Sequence, residues 1–210
     1  MIPWRWLGRV PYGVALEAQR WRRTSILAGH AGSEIWLLEH DPVYTTGRRG
    51  DPDLDGKVLR APRFQVERGG LTTWHGPGQL VAWPVVDLAA TRGTVKGTVN
   101  AMEAAVISTL SDLGLASERR PGFPGVWSRG AKICAVGVHF RRGVAIHGLA
   151  LNLDPDLRWF DDITPCGIAD GRVTSVAAEL GHAPVPASLA PALGRALGMA
   201  LASPCSPCAR

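Results

Sequence analysis

Three strand-like segments follow one another between residues 125 and 153, separated only by short turns. They read GVWS, AKICAVGVHF and VAIHGLALNL, and the turns between them are Arg-Gly and Arg-Arg-Gly. Short glycine-containing turns between segments rich in β-branched residues are typical of β-hairpins. We therefore predict three adjacent antiparallel strands, around which the rest of the chain must fold.

Apolar periodicity predicts four helices. Residues 12–27 form the first, whose apolar face would be Val14, Ala18, Trp21 and Ser25. Residues 95–113 form the clearest, because Thr94 can cap its start and Gly114 can end it. Two more close the chain, at 174–180 and 187–202. The apolar stripe of the last one consists of Leu189, Leu193, Leu197 and Leu201.

Two further strands are predicted at residues 34–40 and 79–88. Pro84 within the second favours a sheet edge or a bulge, because proline cannot donate a ladder hydrogen bond. Strands and helices alternate without a strict βαβ rhythm, which indicates an α+β fold with a mixed sheet and packed helices. We expect one catalytic domain over residues 1–210, in which residues 183–210 form a C-terminal helix and a frayed tail.

The net charge of the chain is +5, a mild excess of basic residues, and 20 of its 23 lysine and arginine residues are arginine. This excess is mild and is not the strongly basic balance typical of nucleic-acid-binding proteins. It indicates a solvated basic surface, or one suited to acidic partner proteins. No segment approaches the roughly 18 apolar residues of a membrane span, and the first residues lack the apolar block of a signal peptide. We therefore expect a cytoplasmic protein without nucleic-acid or membrane partners.

Four cysteines are present, and without an export signal we expect no disulfide framework. Cys205 and Cys208 form a CxxC pair at the end of the chain. Half of a zinc site without a second Cys/His pair is weak support for a metal, so we predict no metal and no cofactor. A metal or redox role for the pair is the alternative.

A glycine-rich segment, RGGLTTWHGPGQ, covers residues 68–79. It contains neither the P-loop pattern nor the dinucleotide fingerprint, so it does not predict a nucleotide site. Glycines can let a ligand lie against main-chain N–H groups, or can simply form two tight turns. His75 within this segment is a candidate for catalysis or for bracing the loop.

Lys132 and Cys166 are the residues most suited to nucleophilic chemistry. Lys132 lies between Ala131 and Ile133, so it either extends to solvent from a strand end or is partly desolvated and able to support a thiolate. Cys166, between proline and glycine in a loop, is a candidate nucleophile, whereas Cys134 lies in an apolar strand and is expected to be structural. A thiolate needs a nearby cation, and Lys132, His75 and His147 are the candidates.

These segments resemble the lipoate-biosynthesis octanoyltransferases, also called lipoyl(octanoyl) transferases or lipoate–protein ligase B. The resemblance rests on RGGLTTWHGPGQLVAWPVVDL, GVWSRGAKICAVGVHFRRGVAIHGLALNL and ITPCGIADGRVTSV, with TTGRRGD at 45–51, and it spans about residues 35–182. It implies a fold like that of the biotin and lipoate ligases, which is related to class II synthetase cores. Leu71 and Trp74 depart from the residues common in the family.

The resemblance also implies an activity, partners and a site. The family transfers an octanoyl group from octanoyl-acyl carrier protein to a lysine of lipoyl domains of 2-oxoacid dehydrogenases or of the glycine-cleavage H protein. Cys166 would carry the acyl group as a thioester, and Lys132 would keep the thiol ionised and handle protons. The expected substrate-binding residues are Arg68, Gly69, Gly70, Leu71, Thr72, Thr73, Trp74, His75, Ala135, Val136, Gly137, Gly148, Leu149 and Ala150.

We expect the protein to be a monomer. Two other activities remain open. An ATP-dependent lipoate or biotin ligase would consume ATP and a free acid. A Cys–His thioester hydrolase would use His75 or His147 as its base and would release free acid.

Overall fold

The strands of the chain form two β-sheets of different size. The computed structural model describes residues 1–54, 56–91, 93–164 and 172–202. The elements in these ranges, apart from two short 3₁₀ helices, are β1 (Trp4–Arg9), α1 (Tyr12–Leu27), β2 (Glu34–Glu39), β3 (Val43–Thr46), β4 (Arg63–Gln65), β5 (Thr73–His75), β6 (Gln79–Asp87), α2 (Leu88–Thr91), α3 (Val95–Asp112), β7 (Glu118–Arg120), β8 (Phe123–Ser128), β9 (Ala131–Arg141), β10 (Val144–Asn152), α4 (Val176–Leu180) and α5 (Pro186–Ala200).

The large sheet has the strand order β1-β2-β6-β10-β9-β8-β7. Strands β1 and β2 are parallel, and every other pair of neighbours in this sheet is antiparallel. The small sheet has the order β4-β3-β5, in which β3 is parallel to β4 and antiparallel to β5. The predicted α+β class with a mixed sheet is therefore confirmed.

Strands β8, β9 and β10 form the predicted meander. Both turns contain residues with positive φ, Arg129 and Gly130 in the first and Arg142 and Gly143 in the second, as tight hairpins require. The ladder between β8 and β9 is irregular at one point. Val126 pairs with Cys134 and Trp127 pairs with Lys132, which leaves Ile133 as an extra residue on β9. Such a bulge redirects neighbouring side chains, here those around Lys132.

Pro84 lies in the interior of the large sheet, and the register of β6 against both neighbours is unchanged across it, so the predicted sheet edge or bulge is wrong. Strand β6 is flanked by β2 and β10. The proline is accommodated by β10, whose residue at the same register is His147, with φ of 60°. The backbone N–H of His147 donates instead to the side-chain oxygen of Gln19 in α1, over 2.8 Å. A side chain thus satisfies the N–H of His147 where no pairing between β10 and β6 is found.

Helices α3 and α5 cover one face of the large sheet. Thr94 caps α3 by accepting a hydrogen bond from Gly97 N–H, as predicted, and Gly114 follows its end with φ of 80°. The leucine stripe of α5 is buried against the sheet, which confirms the predicted face. This layer contains the largest apolar core of the described residues, shared by α3, α5, β2, β6, β9 and β10.

Helix α1 covers part of the other face of the sheet, but with a different side from the one predicted. Val14 and Trp21 are 62% and 68% exposed, whereas Ala15, Leu16 and Ile26 are buried. The buried side also carries Gln19 and Arg23, which bond or approach polar groups beneath the helix. Apolar periodicity pointed to the wrong face because the inward face is partly polar. Within the described ranges, no helix is long and apolar enough to cross a membrane.

Candidate active site

A cavity of about 790 Å³ lies where the glycine-rich segment meets β9, β10 and the start of β8. Its size falls within the roughly 300–1,000 Å³ of small-molecule sites. Thirteen of the fourteen residues expected to bind substrate line it: Arg68, Gly69, Gly70, Leu71, Thr72, Thr73, His75, Ala135, Val136, Gly137, Gly148, Leu149 and Ala150. The structure therefore brings three distant sequence segments together around one space.

Trp74 is the expected binding residue that does not line this cavity. Its side chain is 1% exposed and packs in a cluster with Tyr44, Leu54 and Phe160. Its ring stacks on Trp159, with the ring centroids 5.4 Å apart. Because alternate residues of a strand point to opposite faces, Trp74 points away from the side that Thr73 and His75 present to the cavity.

Arg68 organises the glycine-rich segment from within. Its guanidinium donates to the carbonyl oxygens of Gly69 and Leu71, at 2.9 and 2.8 Å, and to both the carbonyl and hydroxyl oxygens of Thr45. Asp51 accepts a hydrogen bond from Thr72 N–H on the same segment. These bonds fix a loop that has few side chains of its own to pack, so the cavity wall is preorganised.

Lys132 borders the cavity and is 8% exposed. Its Nζ donates to the carbonyl oxygen of Pro124 over 3.0 Å and lies 4.8 Å from the ring centroid of Trp127. A bonded ammonium against an aromatic face is a stable arrangement for a buried lysine. The structure thus places Lys132 at the cavity, rather than extended to bulk solvent from a strand end.

Cys134 is fully buried in the core and is not among the residues that line the cavity. Burial raises the pKa of its thiol, and the nearby Lys132 only partly opposes this effect. A thiol held in its neutral form is a poor nucleophile. Cys134 therefore has the environment of a structural cysteine, as the sequence predicted.

Cys166, the predicted nucleophile, lies outside the described residues, as do Cys205 and Cys208. The chain on both sides of residues 165–171 is held in place. Before them, Asp162 accepts hydrogen bonds from Tyr44 and Arg60. After them, the main-chain carbonyl oxygen of Arg172 accepts a hydrogen bond from the N–H of Lys132 over 2.8 Å. The N–H of Thr174 donates to the carbonyl oxygen of Lys132 over 3.0 Å. Residues 172–174 therefore pair with the backbone of Lys132 itself.

Three histidines lie in or beside the cavity wall. His75 is buried, and its Nδ1 is 3.2 Å from the amide oxygen of Gln79, which in turn bonds Asn152 and the Trp74 carbonyl. Burial, with His40 and Arg68 nearby, lowers the pKa of His75 well below its usual value. The Gln79 network braces this histidine while its ring borders the cavity.

His147 lies near a carboxylate instead. Its Nε2 is 3.8 Å from Glu67. Burial lowers the pKa of His147, although Glu67 opposes the shift. The carboxyl pKa of Glu67 is in turn held well below its usual value by His147 and by Arg20. Both His75 and His147, which are cavity residues, thus favour the neutral imidazole.

The burial of His40 predicts that the protein loses folding stability in acid. Its Nδ1 donates to the Val10 carbonyl over 2.8 Å, and burial lowers its pKa to about 4. A histidine with a depressed folded-state pKa takes up its proton first in the unfolded state. Its contribution is therefore fully present above pH of about 6.5 and is lost as pH falls toward 4. From pH 7.5 to pH 5, we expect His40 to account for about 2 kcal/mol of lost unfolding free energy.

Urea unfolding of His40→Asn tests this expectation, because asparagine can still donate to Val10 but does not titrate. Its stability should fall less steeply between these pH values than that of the parent chain. His30→Asn is the matched control, since His30 is exposed, and it should keep the parent pH dependence. Equal slopes for the parent and His40→Asn would contradict the prediction.

Several cavity residues were not expected as binding residues. Tyr12, Trp83 and Val99 come from α1, β6 and α3, and no sequence signal marks them for this site. Arg49 and Gly50 lie within the TTGRRGD motif, and residues 122–124 span the end of a turn and the start of β8, in a stretch rich in proline and glycine. Those two segments could have been found from their turn-forming composition.

Comparison with known proteins supports a single family. A family model described as the lipoyl protein ligase A/B catalytic domain matches residues 11–198. A protein of Novosphingobium aromaticivorans named octanoyltransferase is 48% identical over 178 residues, which are 81% of this chain and 78% of that relative. A mitochondrial protein of Xenopus tropicalis named octanoyl-[acyl-carrier-protein]:protein N-octanoyltransferase is 47% identical over 187 residues, 85% of this chain and 78% of the relative.

Solved structures agree on the fold. A lipoate-protein ligase A bound with ATP superposes with a TM-score of 0.68 at 19% identity, covering 96% of this chain and 86% of that one. A biotin protein ligase from Aquifex aeolicus gives a TM-score of 0.59 at 12% identity, covering 96% and 71%. At such identities these similarities establish architecture only, and they confirm the predicted resemblance to the biotin and lipoate ligase fold. With the family model covering most of its length, the chain belongs to the lipoyl protein ligase A/B catalytic domain family.

Proposed function

We propose that this protein transfers an octanoyl group from octanoyl-acyl carrier protein to a lysine side chain of a lipoyl domain. The acceptors are lipoyl domains of 2-oxoacid dehydrogenases and the glycine-cleavage H protein. The observation that carries the proposal is the convergence of Lys132, the glycine-rich segment and the β9 and β10 segments on one cavity, in a chain nearly half identical to proteins named octanoyltransferase.

Cys166 and Lys132 are the catalytic residues of this proposal. The Cys166 thiolate attacks the thioester carbonyl of the donor, a new carbon–sulfur bond forms, and the bond to the carrier sulfur breaks. The leaving carrier thiolate takes a proton from the Lys132 ammonium. The acceptor lysine amine then attacks the acyl-Cys166 carbonyl, an amide bond forms, and the Cys166 sulfur leaves. Lys132, neutral after the first step, takes the proton that the acceptor amine loses, which restores the ammonium beside the Cys166 thiolate. Main-chain N–H groups of the glycine-rich segment are suited to hold the tetrahedral oxyanion.

The energetics of these two steps favour transfer without ATP. Exchange of one thioester for another is nearly isoenergetic, and the amide formed in the second step is more stable than the thioester. Water must be kept from the acyl intermediate meanwhile. The apolar residues of the cavity wall, which include Leu71, Val99, Val136, Val138 and Leu149, suit an octanoyl chain and disfavour water.

The remaining parts of the proposal concern binding residues and setting. The thirteen cavity residues predicted from sequence contact the substrate, whereas Trp74 supports the wall from behind. The net charge of +5 suits acidic carrier and lipoyl domains. We further propose one catalytic domain that acts as a monomer in the cytoplasm.

An assay with octanoyl-acyl carrier protein and a lipoyl domain, without ATP, tests the activity. We expect the mass of the lipoyl domain to increase by one octanoyl group, and the adduct to resist hydroxylamine because it is an amide. Free octanoate should be no substrate, with or without ATP. Transfer that requires ATP and free octanoate would instead identify a ligase, and release of octanoate without modification of the lipoyl domain would identify a hydrolase.

A further inference from the structure

One peptide group beside the cavity is hydrogen-bonded on both of its edges. The carbonyl oxygen of Pro124 accepts from Lys132 Nζ over 3.0 Å. The N–H of the same peptide group, which belongs to Gly125, donates to Oε1 of Glu103 over 2.9 Å. The peptide plane between residues 124 and 125 thus links the Lys132 ammonium to a carboxylate on α3.

Glu103 is itself fixed in place. Its side chain is 6% exposed, and its second oxygen is 3.0 Å from Nε of Arg119 on β7. Arg119 is half-exposed and also donates to the carbonyl oxygen of Asn100 on α3. A buried carboxylate is costly unless its oxygens are bonded. Here one oxygen is bonded to a cation and the other to the peptide that faces Lys132.

Gly125 shows how closely the backbone approaches the lysine. Its φ is 127°, which side-chain-bearing residues rarely adopt. A Cβ at this position would lie 2.5 Å from the Cys134 carbonyl oxygen and 3.3 Å from Lys132 Cε. Glycine at residue 125 therefore permits the peptide to lie directly against the lysine side chain.

We infer that Glu103 is a positioning residue for Lys132, acting through the Pro124–Gly125 peptide group. The carboxylate holds the peptide plane so that the Pro124 carbonyl faces Nζ, and it polarises that carbonyl through the bonded N–H. With the Trp127 ring on another side, this fixes where the ammonium stands at the cavity. Glu103 is not among the residues that line the cavity, so it does not contact substrate. This inference rests on the proposed function of Lys132.

Other charged groups near Lys132 must stay constant in any test. Arg119 on β7 pairs with Glu103, and Glu179 on α4 bonds Ser128 and Thr174 and lies near Arg129. Arg172 pairs with the Lys132 backbone, and across the cavity wall lie Arg68, His75 and His147. None of these residues is changed in the variants below, so differences between variants report on Glu103 or Lys132.

The pH dependence of Cys166 alkylation measures how well Lys132 supports the thiolate. Peptide mass spectrometry separates Cys166 from the other cysteines after treatment with iodoacetamide. The alkylation midpoint is the pH at which Cys166 reacts at half of its maximal rate. We expect Lys132→Met to raise this midpoint by about one pH unit or more, because the supporting cation is lost. Glu103→Ala should raise it in the same direction, and should lower kcat by roughly 10–100-fold while KM for the donor changes little. Glu103→Gln keeps an oxygen acceptor for Gly125 and should restore part of the loss.

Glu34→Ala is the matched control. Glu34 is also a buried carboxylate paired with a half-exposed arginine, Arg5, but it lies on β2 away from Lys132. It should lose stability while keeping the parent midpoint and kcat. If Glu103→Ala does not fold, Glu103→Gln is expected to show a smaller shift in the same direction.

The outcomes separate the inference from the function on which it rests. A raised midpoint in Lys132→Met with parent midpoints in both Glu103 variants would overturn the inference alone. An unchanged midpoint in Lys132→Met would overturn the proposed role of Lys132, and the inference with it.

Discussion

Replacing Cys166 with alanine is expected to lower octanoyl transfer by at least about a thousandfold, because the acyl group then has no thiolate to accept it. The same change should abolish a second, independent signal. After incubation with octanoyl-acyl carrier protein alone, the parent chain should gain one octanoyl group, and hydroxylamine should remove it, as expected of a thioester. Cys166→Ala should show no such adduct in intact-mass spectra.

Cys134→Ala is the control for this prediction. Cys134 lies in the apolar core, and burial raises the pKa of its thiol, so it should not carry the acyl group. The variant should keep both the adduct and transfer, with a modest loss of stability. An octanoyl adduct on Cys134 in the parent chain, or transfer that survives in Cys166→Ala, would contradict the proposed nucleophile.

Replacing Lys132 with arginine should lower kcat by about 100-fold or more, although the positive charge is retained. Arginine stays protonated under ordinary conditions, so it cannot take the proton that the acceptor amine releases. Its planar guanidinium must also fit between the Pro124 carbonyl and the Trp127 ring, which now hold a single Nζ atom. Single-turnover rates of acylation and of transfer to the lipoyl domain measure the two effects separately.

Lys96→Arg is the matched substitution, because Lys96 is exposed on α3. It should keep parent rates in both half-reactions. We expect Lys132→Arg to be impaired most in transfer to the acceptor, where the proton must move. Near-parent transfer by this variant would show that Lys132 acts only as a fixed charge.

The strands and helices of this fold were largely predictable because they depend on local pattern. The hairpins at 129–130 and 142–143 require glycine, and the leucines of α5 recur with helical spacing. Two expectations failed, the sheet position of Pro84 and the buried face of α1, because contacts with residues distant in sequence decide both. Pro84 is accommodated in a central strand because Gln19 bonds the facing main chain, and α1 turns that same polar residue inward. A local pattern cannot show which distant side chain satisfies a backbone group.

The candidate site was predictable to the extent that it is made of contiguous motifs. The glycine-rich segment and the β9 and β10 segments could be recognised as motifs in the amino-acid sequence. Their convergence on one cavity depends on the order of the strands in the sheet. The support of Lys132 by Glu103 could not be predicted, because it passes through a peptide group between residues far apart in sequence. Glu103 also lies in a helix where a glutamate is commonplace.

The backbone bonds that join Lys132 to Arg172 and Thr174 have a consequence for how the two proposed catalytic residues are kept together. Arg172 stands only six positions after Cys166 in the sequence, so the covalent chain limits the distance between Cys166 and the β9 backbone at Lys132. Each residue inserted between positions 166 and 172 would relax this limit by up to about 3.5 Å. Insertions between positions 166 and 172 are therefore expected to lower octanoyl transfer.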